Sequence, residues 1–141
     1  SEAMSARTKA RKLALDILFA AELRGEKPTD VLAARGRPNQ DEPAEFGHAV
    51  RLIEGVQEHR ARIDELLSTY ATGWTLDRMP AVDRTILRMG AFELLWVDDV
   101  PDGVVVSEAV ALATELSTEE SPRFVNGLLS RLQRLKPSLA L

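Results

Sequence analysis

The feature that most narrows the fold lies near the end of the chain, where Phe124, Val125, Leu128, Leu129, Leu132 and Leu135 return at intervals of three and four. This is one face of a 3.6-residue helix, yet it runs through Asn126-Gly127, a dipeptide that between strands marks a tight hairpin. A hairpin would leave only Arg123, Phe124 and Val125 as its first strand, too short to bury anything. The dipeptide therefore falls inside a helix, where glycine costs about 1 kcal/mol relative to alanine and asparagine a few tenths more. Tertiary structure has to offset that. The expectation is that Gly127 permits a close helix crossing and that the Asn126 amide satisfies a buried backbone group.

The same periodicity recurs along the chain. A first helix is expected from about Ala6 to Leu23, with Ala10, Leu13, Ala14, Ile17, Leu18 and Ala21 on its apolar face, ending at Gly25. A short helix over Thr29 to Ala34 and a loop over Gly36 to Pro43 follow. From Ala44 to about Tyr70, Phe46, Val50, Ile53, Val56, Ile63, Leu66 and Leu67 share a face, with a bend or break at Gln57-Glu58-His59-Arg60. After the turn-rich stretch Thr72 to Pro80 a helix reaches about Trp96, with Pro80 in its first turn and Phe92 in its stripe. Another carries Val105, Ala109, Leu112, Ala113 and Leu116. Ser121-Pro122 opens the last helix as an N-cap followed by proline. No useful length alternates with period two, so the chain reads as all-α with about seven helices.

With 141 residues a chain can bury roughly 70 % of its unfolded surface in a core that needs no covalent staples. There is no cysteine, which removes disulfides, thiolate metal sites and a cysteine nucleophile. No apolar run approaches the roughly 20 residues of a membrane span, and the basic N-terminus lacks a signal-peptide core, so a cytoplasmic location is expected. Ser1-Glu2-Ala3 ahead of Met4 read as an expression scar, leaving 4–141 as a single domain. The two histidines, His48 and His59, are not at metal-ligand spacing and are expected at the surface or its boundary. Glycines are scattered singly, with no phosphate loop, and the pairs Asp98-Asp99 and Glu119-Glu120 fall at helix ends, where solvation or capping accounts for them. The residues argue against catalysis and call for no cofactor and no metal.

Charge gives a positive lead. Arg7, Lys9, Arg11 and Lys12 put four cations into six residues, leaving the remainder twice as negative as the net −4 of the whole chain. Arg7 and Arg11 are one helical turn apart and Lys12 follows, so a helix gathers these charges near one edge. Cations at a helix N-terminus oppose the macrodipole, and a cluster placed against that gradient suits an anionic ligand such as phosphate. Among seven aromatic residues, Phe46, Phe92 and Phe124 fall in apolar stripes. Phe19 lies off the strongest stripe, and Tyr70 and Trp74 stand at a helix end where a ring can stack on an unpaired base.

The stretches ARTKARKLALDILFAAEL (6–23), VDRTILRMGAFELL (82–95), VPDGVVVSEAVALATELS (100–117) and SPRFVNGLLSRL (121–132) resemble the NusB family of bacterial transcription antitermination factors. The resemblance covers essentially everything after Met4. It implies two packed helical subdomains and a non-catalytic role. Partnered by NusE, a small-subunit ribosomal protein, such a factor binds single-stranded boxA RNA. It then joins RNA polymerase and other Nus factors in read-through of ribosomal RNA operons. By the same resemblance, Arg7, Lys9 and Arg11 fall on the family's basic motif, with Lys12 beside them, and Phe19 and Tyr70 on its RNA-facing aromatics. Asp83, Arg84 and Arg88 extend that surface, and Glu119, Glu120 and Phe124 fall on the NusE side. Thr8 stands where the family often has a base, and Phe19 where it often has tyrosine, so one hydroxyl contact is lost while stacking is kept. Two alternatives share parts of the pattern. One is the NusB-like N-terminal domain of a ribosomal RNA cytosine methyltransferase, which these residues, holding no cofactor-binding domain, disfavour. The other is a homodimeric interaction module without RNA binding.

Overall fold

The computed structural model describes residues 5–35 and 43–141, with the side chains of 43–45 left aside. Residues 1–3, expected to be an expression scar, and most of the expected loop from Gly36 to Pro43 lie outside the described residues. Seven α-helices and two short 3-10 turns make up the secondary structure of the described residues, which contain no strand. They fall into two compact units, one ending at Glu58 and one beginning at His59.

The first unit holds α1 (Ala6–Arg24), α2 (Pro28–Arg35) and α3 (Pro43–Glu58). Ser5 caps α1, its hydroxyl accepting the Thr8 N–H at 3.1 Å. At the other end Gly25 adopts φ 65°, and the N–H groups of Gly25 and Glu26 return to Glu22 and Ala21, a closure that left-handed glycine permits. Ala10, Ala14, Ile17, Leu18 and Ala21 are buried as the spacing predicts, while Leu13 is half-buried and Leu15 takes the inward place. The alanines among them, Ala10, Ala14 and Ala21, let α1 lie close along α3, whose Ala49, Leu52, Ile53 and Val56 complete the core. The Thr29 N–H and hydroxyl both donate to the Gln57 side-chain carbonyl, at 3.1 and 3.2 Å, which fixes the start of α2 on α3. His48 is a correction. It is buried, 4 % exposed, with its Nδ1 2.9 Å from Arg51 Nη2.

The second unit holds α4 (Arg60–Tyr70), α5 (Ala81–Trp96), α6 (Asp102–Leu116) and α7 (Ser121–Leu135). The expected break between α3 and α4 falls on His59, which leaves helical geometry at φ −98°, ψ 13°. Its ring stacks on Trp96 at 4.3 Å and on Phe92 at 5.8 Å, so an aromatic ledge on α5 holds the residue where the helix stops. The centre of this unit is α5, buried without interruption from Thr85 to Leu95 and packed by α4, α6 and α7. Between α4 and α5 a 3-10 turn, Leu76–Arg78, bridges to Pro80. There the Asp77 carboxyl is held below the ordinary carboxylate range, first by a hydrogen bond from the Thr75 side chain and then by its own backbone. A depressed pKa stabilises the fold above the unfolded value and is lost as pH falls through the folded one.

The two ideas about Asn126-Gly127 do not hold. Asn126 is exposed, and its Oδ1 accepts from the Ser130 hydroxyl one turn on, at 3.3 Å, rather than serving a buried backbone group. Gly127 is exposed too, and a Cβ built on it would meet nothing within 4 Å. The close crossing of α5 and α7 is made by Gly90, where a Cβ would stand 2.7 Å from Leu129 Cδ1. Ser121 is not the N-cap of α7. Glu120 holds that place, and the Ser121 hydroxyl turns inward to Asp83 at 2.9 Å.

Candidate nucleic-acid interface

The cationic cluster sits on the first two turns of α1, which carries no acidic residue in its first turn. Winding the segment into a helix separates its members. Arg7, Lys9 and Lys12 are half-buried, whereas Arg11 is 3 % exposed and lies on the same inward side as Ala10 and Ala14. The partly exposed members of the cluster on α1 are therefore Arg7, Lys9 and Lys12, each already engaged within the fold, with Phe19 half-buried two to three turns further along.

In the second unit the end of α4 and the exposed side of α7 enclose an open groove of about 270 Å³, lined by Tyr70, Ala71, Thr72, Arg123, Phe124, Gly127, Leu128 and Arg131. The Arg131 guanidinium lies 5.3 Å from the centre of the Tyr70 ring. It donates to the Tyr70 carbonyl and the Thr72 hydroxyl, each at 3.3 Å. These bonds set the cation over the ring face before any ligand arrives. Phe124 is half-buried, neither fully core nor free, and its ring also tilts against Trp74 at 6.2 Å. On that other side it walls a smaller cavity of about 100 Å³ with Trp74, Pro80, Asp83, Thr118, Glu120 and Ser121. Glu119 and Glu120 are exposed. One aromatic ring thus separates an arginine-lined groove from an acid-lined cavity.

Three expected contact residues make bonds inside the fold, and two of them, Asp83 and Arg88, are buried. Asp83 is 3 % exposed and accepts from the hydroxyls of Ser117 and Ser121, so its carboxylate joins the start of α5 to the loop before α7. Arg88 is buried and bidentate on Asp64, Nε to Oδ1 at 2.8 Å and Nη2 to Oδ2 at 3.1 Å, and Arg60 reaches the same carboxylate at 2.9 Å. Arg84, half-buried, donates to the carbonyls of Leu76 at 2.8 Å and Met79 at 3.1 Å, which ties down the 3-10 turn. The groove's Arg123 and Arg131 were absent from the sequence expectations. Their signal was legible all the same, two arginines eight apart with Gly127 midway, a single row along one helix.

Residues 8–134 match the NusB family. The chain belongs to that family. Similar proteins include the transcription antitermination protein NusB of Nocardioides sp. strain JS614, 60 % identical over 97 % of this chain and 100 % of the relative. That of Thermobifida fusca is 59 % identical over 100 % and 98 %. The similarity to these NusB proteins runs over their whole length. Among solved structures, T. maritima NusB superposes with a TM-score of 0.83 at 33 % identity, covering 97 % of this chain and 100 % of that one. Antitermination factor NusB from a complex with NusE and double-stranded RNA gives 0.78 at 29 % identity, over 94 % and 98 %. NusB is a family of transcription antitermination factors and not of enzymes. No described helix is long and apolar enough to cross a membrane.

Proposed function

We propose that this member of the NusB family, paired with a NusE-type ribosomal protein, binds the single-stranded boxA element of nascent RNA. In the cytoplasm it would support read-through of ribosomal RNA operons, together with RNA polymerase and other Nus factors. The observation that carries this reading is the groove in which Arg131 is held over Tyr70 beside Phe124. Unpaired bases are recognised by stacking on aromatic rings and guanidinium planes, with phosphates held by cations. The cations of α1, Arg7, Lys9 and Lys12, supply further phosphate contacts in this reading, with Phe19 as a second ring. Support for pairing with NusE and for RNA as the ligand class comes from the solved NusB relative in complex with NusE and double-stranded RNA.

The test is a titration of boxA RNA with this chain, alone and with purified NusE, over a range of salt concentrations. Replacing Arg7 and Lys9 by alanine is expected to weaken binding and to lower the slope of log affinity against log salt by about 0.7 for each phosphate contact removed. Affinity and slope both unchanged would remove the α1 arm from the interface. Arg11 is left out of this variant because its burial would mix unfolding with loss of contact.

On the partner side, exposed Glu119 and Glu120 with Phe124 would meet the basic NusE protein, complementary charge raising the association rate more than the affinity. Glu120→Lys is expected to slow NusE association measured by stopped flow, without unfolding the chain. An unchanged rate would remove the loop from the NusE side.

A further inference from the structure

Gly127 is a glycine that packing does not explain. It lies in the middle of α7, exposed, and a side chain added there would meet nothing within 4 Å. Glycine loosens a helix interior, and at Gly90 the close approach of Leu129 accounts for it. At Gly127 no neighbour does. What surrounds it is the groove, in which it is the midpoint of the row Arg123, Gly127, Arg131. Any side chain at that point would fill the gap between the two arginines and raise the floor beneath Tyr70 and Phe124.

We infer that Gly127 is a ligand-positioning residue, a notch in α7 that lets one nucleobase of single-stranded RNA lie on bare helix backbone between Arg123 and Arg131. The base packs against the rings of Tyr70 and Phe124, and the two guanidinium groups face the flanking phosphates. The inference rests on the RNA-binding reading above and adds what admits the base. A base suits the groove better than a phosphate alone, since two of its walls are aromatic and its volume is about 270 Å³. The protein partner proposed above is basic, so the two arginines repel it rather than select it. The neighbouring Asn126 takes no part, since it is not among the lining residues and its amide is bonded along the helix to Ser130.

The experiment compares Gly127→Ala with Gly47→Ala. Gly47 is a matched control, exposed within α3, also with nothing within 4 Å of an added Cβ. Both variants are expected to melt about 3 °C higher than the parent, because alanine restrains the unfolded chain and favours helix. Binding of a fluorescently labelled boxA RNA to the complex with NusE is expected to weaken about tenfold in Gly127→Ala and to stay unchanged in Gly47→Ala. A variant more stable yet weaker in binding is what a purely structural glycine would not produce. The inference is overturned if Gly127→Ala binds RNA as the parent does, if it melts lower, if Gly47→Ala loses as much affinity, or if NusE association alone is affected. A parent complex that binds no RNA at all would instead overturn the RNA-binding reading itself, and the notch with it.

Discussion

Leu129→Ala is expected to lower the unfolding free energy by about 3 kcal/mol, and Gly90→Ala to reverse its sign of effect between that background and the parent. Leu129 is fully buried, and its two methyl groups stand 2.7 and 3.4 Å from where a Gly90 Cβ would be, with Ala109 Cβ at 3.7 Å. In the parent, Gly90→Ala gains about 1 kcal/mol of helix propensity but forces the end of the fully buried Leu129 side chain to shift within a packed core, for a net loss of roughly 1 kcal/mol. Once Leu129 is truncated, the clash is gone and the added methyl fills part of the cavity, so the same substitution is expected to stabilise by about 1 kcal/mol. Urea denaturation of the four proteins measures the coupling. Equal effects of Gly90→Ala in both backgrounds would mean that α5 and α7 do not meet through this pair.

That pair also shows where sequence reading succeeds and stops. Helices were legible because apolar spacing is a local property. The α1 cap at Gly25, the interruption at His59 and the proline-led starts of α5 and α7 all follow from residue chemistry within a few positions. Which of two glycines makes a crossing is not local. Gly90 and Gly127 look alike in sequence, and only the partner helix distinguishes the one beneath Leu129 from the one facing open space. The same holds for the cations. Arg7, Lys9, Arg11 and Lys12 read as one cluster, but a helix turns 100° per residue, and Arg11 follows Ala10 and Ala14 inward. A helix buried on all sides defeats stripe reading altogether. Within α5, Asp83, Thr85, Arg88 and Glu93 are as buried as the leucines, so polarity no longer marks the surface. Family resemblance had the converse weakness, nominating a whole surface at the start of α5 in which Asp83 and Arg88 prove to be internal ties.

Asp83→Ala is expected to lower stability by about 2 kcal/mol, enough to bring the melting point down by roughly 6 °C, and Asp83→Asn by about half as much. The carboxylate is buried and, among the described residues, has no ion-pair partner. It is stabilised by two serine hydroxyls and by its place in the first turn of α5, where the helix dipole favours negative charge. Removing it leaves Ser121, 1 % exposed, with only the Thr118 and Ser117 hydroxyls and the Thr118 N–H around its oxygen. The hinge of hydroxyls that seats the start of α7 then loses its one strong acceptor. Asparagine restores an acceptor but brings two donors that need partners in the same space, which is why rescue is only partial. Thermal melts of both variants, read beside boxA titrations, separate this role from a surface one. A tie inside the fold predicts a large loss of stability with RNA affinity per folded molecule little changed. An Asp83 that met RNA directly would give the opposite pattern, altered affinity at parental stability, and that outcome would return the carboxylate to the interface.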